Sequence, residues 1–173
     1  MLPGATVPIV DWLQFIVQWL HVLLGIFWFG GALYTDIILI PAIRHLSLEK
    51  QRELGAALGV RGIAVYRIVA PLIILLGFLR GTVFGPIKSV DVLTTPYGLT
   101  WLVAIAVTIA LYRFAFTTYE RALRALTTVP LAPDGTATPE VEAATDRVKR
   151  LAVLELVFFF VIFTCMILMR FGL

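Results

Sequence analysis

The stretch LAVLELVFFFVIFTCMILMRF, from Leu151 to Phe171, decides the fold. Its one carboxylate is Glu155, its one base is Arg170 beside the end, and the rest is apolar or weakly polar. A helix needs about 20 such residues to cross the hydrocarbon core of a bilayer. Outward from it, three more runs meet the same requirement: roughly Trp12 to Ala42, Ile63 to Phe84 and Tyr97 to Phe116. The first is longer than a bilayer requires and has to tilt or protrude, with Pro41 as its expected stop. The pattern predicts an all-α integral membrane protein, a single-domain four-transmembrane-helix bundle in contact with the lipid bilayer.

Composition agrees. Of 173 residues, 60% are hydrophobic and 14% charged, against about half and a quarter in soluble domains, and the mean hydropathy is +0.96. The net charge of +3 is small, and the bases sit beside apolar runs. They read as topology determinants rather than a nucleic-acid surface. Cys165 is the single cysteine, so an intrachain disulfide is excluded. The leader shows no basic segment and no small-residue cleavage site, so no removable signal peptide is expected.

The bases also orient the bundle. Arg44, Lys50, Arg52 and Arg61 lie in the first connection, and Arg121, Arg124, Arg147, Lys149 and Arg150 in the third. The second connection has only Lys88 and the tail only Arg170. The positive-inside rule then makes the connections at about 43–62 and 117–150 cytoplasmic and both termini outward, as in a bacterial-type inner membrane. Leu46 to Gly62 is expected as a short interfacial helix. Thr127 to Thr145, rich in Thr, Pro and Ala, is expected as a flexible loop.

Polar side chains inside the spans carry the chemistry. Gln18, His21, Gly25, Trp28, Ala32 and Asp36 follow one another at three- or four-residue steps and fall within roughly 100° of arc. Polar groups on such a helix face the bundle interior. An imidazole at membrane depth needs a partner for each ring nitrogen, and Gln18, one turn away, or a backbone carbonyl is the candidate to orient His21. Gly77, Gly81 and Gly85 permit close helix approach or leave room for a flat ligand. Arg80, Cys165, Met166 and Met169 lie toward the same outer face as His21, whereas Asp36, Arg67, Arg113 and Glu155 lie toward the other and are expected as ion pairs. His45, beyond Pro41, is an interfacial residue, roughly 36 Å along the helix from His21.

His21, then Trp28-Phe29-Gly30-Gly31 seven residues on, then Pro41, resembles the first helix of CopD-like four-helix membrane proteins. A similar His…Trp-Phe-x-Gly pattern marks the HemJ-type protoporphyrinogen oxidases, and Thr95-Pro96-Tyr97-Gly98 looks like the corresponding start of the CopD-like third helix. Together these cover about a quarter of the chain. The resemblance implies a four-helix bundle in which His21 holds haem or, in the copper-handling branch, copper. It also implies a third-helix lysine after the Tyr-Gly start. Leu99 to Ile105 holds none, which separates the chain from the HemJ-like oxidases.

Three readings stay open at this point. In the first, His21 anchors haem b for electron transfer or redox chemistry near the outer face, with a quinone or cytochrome as partner. Met166 or Met169 would be the sixth ligand, Arg80 would pair a propionate, Gly25 would leave space, and Trp28 would pack on the ring. In the second, His21, Cys165, Met166 and Met169 offer soft ligands for copper transport or sensing. In the third, the chain is a cofactor-free accessory subunit of a larger membrane complex. A hydrolase finds no support: there is no His-Glu-x-x-His and no serine-centred elbow.

Overall fold

The computed structural model of the protein describes residues 9–173, with side chains from residue 12 onward. The leader, expected to be outward and uncleaved, lies largely outside the described residues. Four helices are long and apolar enough to cross a membrane: α1 (Trp12–Ile43, with its first turn opening at Ile9), α2 (Leu48–Gly81), α3 (Pro96–Thr128) and α4 (Pro139–Arg170). A 3₁₀ turn, Val90–Thr94, leads into α3. At 32 to 34 residues each, the helices are about 50 Å long, so each extends well beyond a hydrocarbon core of about 30 Å.

The helices overrun the expected boundaries. The segment expected as an interfacial helix, Leu46 to Gly62, is helical but continuous with the second span from Leu48. Ser47 precedes the first turn, Glu49 sits in it, and the following Lys, Gln, Arg, Glu, Leu and Ala are good helix formers with no proline before Pro71. The expected loop at 117–150 is corrected more strongly, since only residues 129–138 are non-helical. The third helix continues through Glu120, Arg124 and the alanines to Thr128. The fourth starts where Thr138 accepts a hydrogen bond from the Val141 amide, with Pro139 at the first helical position and Glu140 and Glu142 in the first turn.

Two of the helices widen into π-turns, Tyr34–Leu39 in α1 and Ala115–Tyr119 in α3. In α1 the widening precedes Pro41, which has no N–H and whose ring crowds the carbonyl four residues back. There the Ile40 amide reaches Thr35 instead of the usual partner. The helix thus passes the expected stop and ends at Ile43. In α3 the Thr117 hydroxyl donates to the Arg113 carbonyl at 2.6 Å, competing for the acceptor that its own amide would use.

The closest pairings are α1 with α2 and α3 with α4, while the contact between α1 and α4 is slight. The core lies at mid-height: Trp28, Val69, Ala70, Ile73, Leu111 and Phe159, one or more from each helix. Large apolar side chains such as Ile26, Ile37, Ile68 and Val153 cover the outside, as a lipid-facing surface requires. Four crossings put both chain ends at one end of the bundle, the terminal end. The arginine- and lysine-rich connections are at the other, the basic end.

Candidate functional site

His21 is buried on α1, with 8% of its surface exposed. Its Nδ1 lies 3.2 Å from the Ile73 carbonyl on α2. A carbonyl only accepts, so Nδ1 carries the proton and Nε2 keeps its lone pair. Nε2 has no hydrogen-bond partner among the described residues. Ile73 can present its carbonyl because Gly77, four residues on, still bonds within the helix while offering no side chain against the ring. A Cβ on Gly77 would stand 3.0 Å from His21 Cε1. The second-helix glycine therefore serves close approach of the imidazole.

Gln18 does not orient His21. Its side-chain oxygen accepts instead from the Arg80 Nε–H, and the Ile73 backbone takes the orienting role. The correction has a geometric cause: Arg80 lies one turn beyond Gly77, level with Gln18 in the antiparallel α1–α2 register. The two terminal nitrogens of Arg80 have no acceptor among the described residues. Gln18 and Arg80, with Gln14 and Phe15, line an open groove of about 320 Å³. Nearby, Trp101 on α3 packs its indole against Gly81, and its buried Nε1–H has no acceptor among the described residues.

Other expected site residues are placed differently. Trp28 is a core residue, edge-on to Phe159 at 5.2 Å and tilted to Tyr66 at 6.4 Å, so its surface is spent on packing rather than offered to a ligand. Gly25 has nothing within 4 Å of where a side chain would stand, leaving open space one turn from His21. Phe29 of α1 packs on Phe159, Phe160 and Phe163 of α4. Continuing that antiparallel register brings Met169 to about the depth of His21. Neither methionine is buried, and Met166 is 36% exposed. Cys165 is buried and borders a shallow groove with Val157, Phe160, Val161 and Thr164, none of them a predicted ligand. Among the described residues, no group of three or more His, Cys, Asp or Glu side chains is close enough to hold a metal. His45 is exposed in the turn after α1.

At the basic end, the expected pairing among Asp36, Arg67, Arg113 and Glu155 is not formed among the described residues, and only Arg67 enters an ion pair, with a partner outside that group. Arg67 reaches Glu120 at 3.3 Å, and Arg124 reaches the same carboxylate at 2.5 Å. Glu120, which the sequence reading passed over, is the buried partner; its i,i+4 spacing to Arg124 was the available signal. Arg113 is exposed. Asp36 and Glu155 have no ion pair among the described residues, although Glu155 is 7% exposed.

The Thr95-Pro96-Tyr97-Gly98 stretch has a local structural reason. Thr95 caps α3 by accepting from the Gly98 amide at 3.2 Å, and Pro96 takes the first helical position. A side chain on Gly98 would collide with the backbone of Val92 and Leu93. No family model, curated protein or solved structure matches the chain.

Proposed function

We propose that this protein binds haem b through His21 and serves electron transfer near the terminal end of the bundle. One observation carries the reading: the imidazole is buried with Nδ1–H committed to the Ile73 carbonyl, leaving Nε2 as a free electron-pair donor. Histidines that ligate metals characteristically donate their other ring N–H to a carbonyl or carboxylate, which fixes the tautomer. His21 would hold the iron through Nε2. Gly25 leaves open space on the same helix stripe, and the Arg80 guanidinium has unspent donors suited to a propionate carboxylate.

Bound haem would supply one-electron transfer. The chain's own contribution is positional. Ile73 holds the ring's tautomer, Gly77 sets its distance from α2, and Gln18 holds Arg80 at the groove. Met169, at about the depth of His21, would be the methionine to help hold the iron. The charge bias supports the terminal end facing outward from a bacterial-type inner membrane, with a quinone or cytochrome as electron partner. Copper handling draws less support, because Cys165 borders a separate groove and, among the described residues, is in no group of three or more His, Cys, Asp or Glu side chains.

Absorption spectra of the detergent-purified protein, oxidised and dithionite-reduced, test the proposal. A Soret band with reduced α and β peaks is expected. A flat visible spectrum from folded protein supplied with haem would overturn it, in favour of an accessory subunit, and stoichiometric copper by metal analysis would overturn it in favour of copper handling.

A further inference from the structure

A second polar level lies on the other side of the Trp28–Leu111 core. Each of the four helices sends one titratable group there: Asp36 from α1, Tyr66 from α2, Tyr119 from α3 and Glu155 from α4. Glu155 is within electrostatic reach of Asp36 and of both phenols, and Tyr119 of Asp36. Glu155 is more than nine-tenths buried, and no hydrogen bond or ion pair to its carboxylate exists among the described residues. Asp36 Oδ2 is likewise buried without a partner. Both π-turns, Tyr34–Leu39 and Ala115–Tyr119, fall at this level, and such single-turn widenings concentrate at functional sites.

The surrounding cations do not neutralise the pair. Arg67 and Arg124 are both bound to Glu120, and Arg113 is exposed. Continuing the register in which Phe29 packs on Phe159, Phe160 and Phe163 puts Asp36 level with Glu155, and two unpartnered carboxylates at one level, one of them buried, resist ionising together. The structural demand is for one positive charge of very small size. The nearest bases along α4, Arg150 and Lys149, are five and six residues away, about 8 to 9 Å toward the basic end. That is a short path to water.

We propose that Glu155 and Asp36, at the level of Tyr66 and Tyr119, form a proton-binding site that exchanges with the basic end of the bundle. One proton passes from a hydronium ion, whose O–H breaks to leave water, to a Glu155 carboxylate oxygen, giving the neutral acid beside ionised Asp36. On release it returns to water, and the bond broken is that same O–H. The site is separate from His21 and does not depend on the haem reading.

Infrared difference spectra of the full-length protein, recorded over a pH series, test it directly. A protonated-carboxyl stretching band that titrates is expected in the native protein. It should be lost in Glu155→Gln, whose amide mimics the neutral acid and preserves folding, and its titration should shift in Asp36→Asn. The visible spectrum should be unchanged in both variants. The site is refuted if no such band appears at any pH, or if it persists unaltered in both Glu155→Gln and Asp36→Asn. It is refuted equally if sodium or potassium abolishes the band at fixed pH, because the pair would then hold a metal cation.

Discussion

At the scale of single residues, the imidazole and the glycines around it explain most of the terminal end. Gly81 is the strictest of them. Its missing side chain is filled by the Trp101 indole, so Gly81→Ala drives a methyl group into a buried ring. The helix would gain about 1 kcal/mol in propensity from alanine. Overpacking of a rigid aromatic costs about 1–3 kcal/mol. A net loss of stability is therefore expected, read as a lower midpoint in detergent thermal denaturation; an unchanged or raised midpoint would mean that the indole is free to move. His21 was legible as a special residue from its type and depth alone. Its orienting partner stayed open between Gln18 and a backbone carbonyl, because nothing in sequence marks which carbonyl of another helix faces the ring. Trp28 misled for a related reason: a tryptophan on a polar stripe looks the same whether it faces a ligand or Phe159.

At the scale of elements, caps and widenings decide where helices begin and how they pass obstacles. Thr95→Ala removes the side-chain acceptor for the Gly98 amide and should cost about 1 kcal/mol. Faster amide exchange in the first turn of α3, with the rest of that helix protected, is the expected signature. The connection 129–138 contains a smaller device. Asp134 Oδ1 accepts from the Thr136 amide at 3.0 Å and its hydroxyl at 2.7 Å, and these bonds hold the carboxyl below its usual range. A depressed value in the folded state means that the turn's contribution is present above the unfolded value and fades as pH falls through the folded one. Protection of the Thr136 amide, taken relative to its intrinsic exchange rate at each pH, should accordingly fall in acid, and Asp134→Asn should remove that pH dependence. The four apolar runs were readable from hydropathy, but their helical extensions were not. Span rules register only the apolar part of a helix, whereas Glu-Lys-Gln-Arg-Glu and Glu-Arg-Ala-Leu-Arg continue the same backbone ladder into water.

At the scale of the whole molecule, one end is anchored by aromatics and the other by charge. Trp12, Phe15 and Trp19 are more than half exposed on α1 at the terminal end, where amphipathic rings favour the headgroup level. The basic end carries the Arg67–Glu120–Arg124 bridge and the tie from Arg52 Nη1 to the Val129 carbonyl at 2.6 Å, which fastens α2 to the end of α3. With the termini outward, a cysteine placed at Ser89 in a Cys165→Ser background should react with a membrane-impermeant maleimide on intact cells. One at Ser47 should react only after permeabilisation, and the reverse pattern would invert the topology. The vertical order was partly legible: depth along each span correctly separated the His21 level from the Asp36 and Glu155 level. What the sequence could not express was partnership at the basic end, since Glu120 captures the arginine that charge matching assigned to Asp36 or Glu155.

The central claim is that His21 Nε2 is the ligating atom. It is tested most directly by comparing haem-supplied His21→Ala and His45→Ala proteins by absorption spectroscopy at equal, verified folding. His21→Ala should lose the Soret and reduced α bands, while His45→Ala, altered only in an exposed turn, should keep them at native intensity. A full native spectrum from His21→Ala would contradict the assignment.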